Sequence, residues 1–134
     1  MKSVLKPMLV LSCLALVSIP LWSAPASVSC ANVSVETSPD TVTAGYGVGI
    51  YGSIGNCTEG RKRFTVVVSA ISDCGQETGI TSFRMAFKPD ENRMFGVSYT
   101  TAPETCDGLA TVTVDVLDDR GVLARASTTF AIVN

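Results

Sequence analysis

The 134-residue chain contains no histidine. That absence removes Ser-His-Asp and Cys-His nucleophilic sites and every metal site built on imidazole. Lysine is scarce: beyond Lys2 and Lys6 only Lys62 and Lys88 occur, one in a predicted loop and one at a predicted strand end. A Ser-Lys arrangement therefore has little to draw on. No cofactor motif is found, so the sequence points away from an enzyme and no cofactor is expected. The one tryptophan, Trp22, falls among the first 26 residues. Beyond those residues no apolar run is long enough for a transmembrane helix.

What is present begins with an address. Lys2 and Lys6 precede an apolar run from Met8 to Val17, broken only by Ser12. The run thins out through Ser18, Ile19, Pro20, Leu21 and Trp22, and Ala24-Pro25-Ala26 supplies small residues where a signal peptidase reads. This is the layout of a secretory signal over residues 1–26, too short and too abruptly ended to span a bilayer. Cys13 sits inside the apolar core, not at its end, which argues against lipid attachment. The mature protein is predicted to be residues 27–134, one domain, soluble, and either secreted or periplasmic.

Those 108 residues carry eight basic and twelve acidic side chains, a formal charge of −4. Nucleic acid is excluded as an expected partner, because phosphate backbones call for a basic face. An anionic membrane surface is disfavoured for the same reason.

From residue 30 onward the apolar period is two. Val33 and Val35 alternate with Ser34 and Glu36; Val48, Ile50, Gly52 and Ile54 share a face; Phe64, Val66, Val68 and Ala70 follow. Phe83, Met85 and Phe87, then Phe95, Val97 and Tyr99, then Ala110, Val112, Val114 and Val116 continue the pattern. Ala124, Ala126, Thr128, Phe130 and Ile132 close it. Turn residues at Pro39-Asp40, Ala44-Gly45, Gly55-Asn56, Asp73-Cys74-Gly75, Pro89-Asp90-Glu91-Asn92 and Asp118-Asp119-Arg120-Gly121 separate the runs. About seven short strands with no amphipathic helix predict an all-β, antiparallel sandwich of two facing sheets.

The four mature cysteines, Cys30, Cys57, Cys74 and Cys106, are an even set in a small exported domain and read as disulfides. They are too widely spaced for a zinc clamp. Composition allows three pairings, but the strand pattern narrows them. An antiparallel pair turning near Thr43-Ala44-Gly45 sets opposite each other residues whose numbers sum to about 87 or 88, as Cys30 and Cys57 do. Cys74 and Cys106 are left for the opposite end of the domain. The predicted bonds are Cys30–Cys57 and Cys74–Cys106.

The succession Ser38-Pro39-Asp40, Gly52-Ser53-Ile54-Gly55-Asn56-Cys57, Pro89-Asp90-Glu91-Asn92 and Tyr99-Thr100-Thr101-Ala102-Pro103, followed by two long final strands, resembles immunoglobulin-like or fibronectin-III-like domains. Such domains occur in bacterial surface and periplasmic proteins. The resemblance spans the mature chain and implies a fold, not an activity. It lacks the central-strand cysteine pair and buried tryptophan of antibody domains.

Three features carry possible chemistry. Arg61-Lys62-Arg63 places three cations in an inter-strand connection, a candidate contact for a carboxylate-rich or phosphate-bearing partner. Asp115, Asp118 and Asp119 have the oxygen chemistry for Ca2+, although Asp118-Asp119-Arg120-Gly121 is first the composition of a hairpin turn. Asn32-Val33-Ser34 and Asn56-Cys57-Thr58 match the N-glycosylation pattern. Tyr46, Tyr51 and Tyr99 read first as half-buried strand residues. The expectation is a monomeric, non-catalytic exported binding module with a protein or glycan partner. Its alternatives are an inhibitor of an extracellular or periplasmic hydrolase, and a structural or adhesive surface subunit assembled by strand exchange.

Overall fold

The computed structural model describes residues 28–134. The predicted signal segment, with Cys13 and Trp22, lies outside the described residues. Eight strands follow one another: β1 (Ala31–Ser38), β2 (Thr41–Thr43), β3 (Gly47–Asn56), β4 (Lys62–Ile71), β5 (Glu77–Phe87), β6 (Asn92–Thr100), β7 (Gly108–Asp118) and β8 (Gly121–Val133). They form two sheets, β1-β3-β6 and β2-β8-β7-β4-β5, with no helix among the described residues. This is an immunoglobulin-like β-sandwich held by two disulfides, Cys30–Cys57 and Cys74–Cys106.

The period-two pattern translates directly into burial. Phe64, Val66 and Val68 on β4, and Val112, Val114 and Val116 on β7, are closed off from solvent and face Ile50 and Ile54 of the other sheet. Side chains one position away on each strand point outward, as alternation requires. Phe64 meets Phe87 at a centroid distance of 5.4 Å, and Phe83 meets Phe95 at 5.8 Å where the edge strands β5 and β6 close one side.

One expectation is corrected. The chain between β1 and β3 is not a simple turn near Thr43-Ala44-Gly45. It crosses to the other sheet, where Thr41–Thr43 pairs parallel with Ala131–Val133 of β8. Val42 is thereby buried at the sheet end. Three residues are too few to display alternation, which is why the eighth strand, and the one parallel pairing, escape the pattern. The register of the flanking pair is unaffected: Ala31 faces Asn56 and Ser38 faces Gly49, every pair summing to 87. That register carries Cys30 and Cys57 into opposition just beyond the strand ends.

Candidate functional site

At the Cys30–Cys57 end, an open cleft of about 630 Å³ lies between the start of β4 and the β5–β6 turn. Arg61, Lys62, Arg63, Lys88 and Arg93 line it, together with one carboxylate, Glu91, and with Ala86 and Phe87. Five cations and one acid converge there on a domain whose overall charge is negative.

Each wall follows from local chemistry. Lys88-Pro89-Asp90-Glu91 is a tight turn, with Pro second, Asp90 at φ 57°, and the Glu91 N–H donating to the Lys88 carbonyl at 3.2 Å. Proline favours the second position of such a turn, and Asp tolerates positive φ at the third better than most residues. The Glu91 carboxylate accepts from the Lys88 N–H at 2.8 Å, so the cleft's one acid is engaged by the turn itself. On the far side of the turn, the Arg93 guanidinium stands over the Phe87 ring, 5.9 Å from its centroid. Its Nη1 also donates to the Ala86 carbonyl at 2.9 Å.

The three-cation run is divided by strand alternation. Arg63 is exposed on β4, and Arg61, in the connection just before the strand, is exposed too. Lys62 is half-buried and falls in the row that continues into Phe64 and Val66. Arg63 and Lys62 also border a neighbouring hollow with Arg84, Asp118 and Asp119, whose carboxylates temper the positive field there. The side of the cleft away from those aspartates is the one framed by Arg61, Lys88 and Arg93, where Glu91 is the one carboxylate.

Asn56 joins the two walls, a role hidden in the sequence. It is 1 % exposed, and its Nδ2 donates to the Gly60 carbonyl at 2.9 Å and to the Lys88 carbonyl at 3.0 Å. Its Oδ1 accepts from the Thr58 N–H at 2.9 Å, and its own N–H donates to the Glu91 carbonyl. One side chain thus ties the loop that delivers Arg61 to the turn that delivers Lys88. The glycosylation reading of Asn56 is overturned by the same contacts, because its amide is sequestered. Thr58 is buried too, and its Oγ1 accepts from the Cys30 N–H at 2.8 Å. Asn32 is exposed on β1. The Asn-x-Ser/Thr pattern and the Gly55-Asn56 turn signal both marked Asn56, but neither pointed to a loop anchor.

The aspartates of the β7–β8 hairpin have other partners. Asp115 receives Arg125 Nε at 2.6 Å and Nη2 at 3.2 Å, and this pairing raises the arginine pKa. Asp118 Oδ1 accepts from the Arg120 N–H at 2.8 Å, which is the first cause holding its pKa below the ordinary value. Gly121, at φ 133°, completes the turn where a side chain would strain the backbone. Among the described residues no three histidine, cysteine or acidic side chains cluster so as to hold a metal ion. None of the described helices could cross a membrane, since there are none. The two disulfides suggest an oxidising environment.

Comparison with known proteins places the fold without adding a role. No protein-family model matches the chain, and no curated protein does. Among solved structures it is similar to the CARDB domain of the PF1109 protein from Pyrococcus furiosus, determined in complex with di-metal ions. The TM-score is 0.63 at 16% identity, over 78% of this chain and 89% of that one. It is also similar to part of a β-glucosidase from Erythrobacter marinus, with a TM-score of 0.65 at 8% identity over 78% of this chain. The match spans only 16% of that enzyme. A third likeness, TM-score 0.58 at 11% identity, is to 30% of the alkylpurine DNA glycosylase AlkC of Pseudomonas fluorescens. At these identities the likeness concerns the immunoglobulin-like sandwich alone.

Proposed function

We propose that the protein is an exported, non-catalytic interaction module that engages an anionic partner, carboxylate-rich or phosphate-bearing, through the cleft of Arg61, Arg63, Lys88 and Arg93. Export rests on the signal pattern of residues 1–26 and agrees with the two disulfides. The absence of histidine, the oxidised cysteines and the lack of a catalytic constellation support a binding role. The observation that carries the reading is the meeting of five cations around a single engaged carboxylate on an acidic domain. Such a field steers and holds anions, and it does so on a frame stiffened by a disulfide and by Asn56.

Affinity capture from the native envelope and secretome tests this. The oxidised protein and an Arg61→Ala/Arg63→Ala variant are compared, with captured components quantified by mass spectrometry. The reading expects a component retained by the wild type and lost by a variant of unchanged thermal stability. Equal capture by both would remove the cleft from the account.

A further inference from the structure

The outer face of the three-stranded sheet presents a different chemistry. The register sets three rows across β1, β3 and β6. Glu36, Tyr51 and Gly96 form the middle row, with Ser34, Ser53 and Met94 on one side and Ser38, Gly49 and Ser98 on the other. A lone aromatic ring is therefore centred in a field of hydroxyls and glycines.

The glycines decide how that ring lies. A Cβ built on Gly49 would fall 2.6 Å from Tyr51 Oη and 2.8 Å from its Cζ and Cε2. One on Gly96 would fall 3.4 Å from Cδ1 and 3.5 Å from Cε1. The ring occupies the space that a side chain at Gly49 would need and lies at van der Waals distance from the Gly96 position, so it reclines on the sheet. It remains 47% exposed, which leaves its outer face to solvent. The Ser34 and Ser53 hydroxyls are 3.1 Å apart beside it, and Met94, 80% exposed, rises at the edge of a shallow depression of about 340 Å³.

The chemistry of this surface selects its ligand. Glu36 is the only formal charge in the three rows, so anions find no partner here. A cation would meet one open ring and one carboxylate, without the enclosure that desolvates a cation on an aromatic face. What fits is a flat group whose apolar C–H face rests on the negative face of a ring while polar groups at its rim form hydrogen bonds. Glu36 accepts, and the serine hydroxyls both donate and accept, at cross-strand and along-strand spacings of roughly 5–7 Å from Tyr51. We infer that the Tyr51 platform binds a pyranose ring of an uncharged glycan, by stacking on Tyr51 with hydroxyl contacts to Glu36 and the flanking serines. The face has no end walls, so it accepts a sugar within a chain. The site is independent of the cationic cleft.

The test is a 1H–15N NMR titration of the oxidised protein with four neutral hexasaccharides, of the β-1,4-glucan, β-1,3-glucan, β-1,4-mannan and chitin types, at millimolar concentrations. At least one is expected to shift the amides of Glu36, Gly49, Tyr51 and Gly96, with little dependence on salt. Tyr51→Phe should keep the affinity, whereas Tyr51→Ala should weaken it about tenfold, the loss of one stacking contact. Should Tyr51→Ala fail to fold, Glu36→Ala on the exposed face of β1 gives the second reading and is expected to weaken binding about threefold to tenfold. No shift at these amides with any of the four sugars would overturn the inference. So would binding that is indifferent to the loss of either side chain.

Discussion

Arg93 covers Phe87 and at the same time donates to the carbonyl of the preceding residue, Ala86. Phe87 is the last residue of β5, an edge strand of the larger sheet, and Arg93 is the second residue of β6, an edge strand of the smaller one. The arginine therefore spans the gap between the two sheets at the mouth of the cleft. Its charge is held in place by an aromatic face and a backbone oxygen, neither of which neutralises it. A charged cap on an exposed strand edge also discourages unwanted strand pairing.

Replacing Arg93 separates these roles. Arg93→Ala is expected to lower the unfolding free energy by only about 0.5–1 kcal/mol, the scale of an exposed cation–π contact. Anion binding should fall much further. Chemical denaturation alongside a binding isotherm checks the split; a large loss of stability would recast Arg93 as a structural strut.

Asn56 is predicted to be among the most sensitive polar positions. Asn56→Ala leaves the buried Thr58 N–H without its acceptor and takes one donor from each of the part-buried Gly60 and Lys88 carbonyls. The expected cost is about 2–4 kcal/mol, measured by urea unfolding. The amides of residues 57–61 and 88–91 should also exchange faster with solvent. A change below about 0.5 kcal/mol would mean that something else holds the two loops.

Each disulfide closes a loop of similar size, with sequence separations of 27 and 32. Chain entropy then assigns them similar worth, about 3–4 kcal/mol apiece. Double alanine variants of each pair, compared by equilibrium unfolding, should lose comparable stability. Only loss of Cys30–Cys57 should also disturb the cleft, because the Cys57 N–H and Thr58 Oγ1 both donate to the Cys30 carbonyl.

Asp118 links the hairpin turn to pH. The Arg120 N–H, and lesser contacts after it, hold the carboxyl below its ordinary value of 3.8. A carboxylate with a depressed folded pKa stabilises the fold above its unfolded pKa, and that contribution is lost as pH falls through the folded value. Wild type and Asp118→Ala should therefore differ in stability at neutral pH and converge in acid below 3.8. A carbon-detected titration should place Asp118 below its ordinary value of 3.8, and a midpoint at or above that value would contradict the hydrogen-bonded turn.

Much of the architecture was readable from alternation alone. Val66 and Val112 lie where period two places them, and one sum of residue numbers sufficed to pair Cys30 with Cys57. Val42 escaped because three residues cannot show a period and a parallel partner ninety positions away leaves no local trace. The cleft was half legible. Arg61, Lys62 and Arg63 stand together in the chain, but Lys88 joins them through the β4–β5 pairing, where Lys62 faces Phe87, and Arg93 only through the crossing to the other sheet. Alternation then sets Lys62 apart from its two neighbours. Asn56 was visible as a turn residue, yet its contacts span 4 and 32 positions, and distance in sequence conceals the second. Alternation places Tyr51 on the outer face, but it does not aim the ring, which reclines over Gly49 two residues back on the same strand.

The cationic cleft is tested most directly by titrating the 15N-labelled, oxidised protein with inorganic tripolyphosphate and with a glutamate-rich peptide, at low and high salt. The account predicts shifts concentrated at Arg61, Arg63, Ala86, Lys88 and Arg93. They should weaken as salt screens the charges and disappear in an Arg61→Ala/Arg63→Ala/Arg93→Ala variant that remains folded. Shifts scattered elsewhere, or unchanged in that variant, would contradict it.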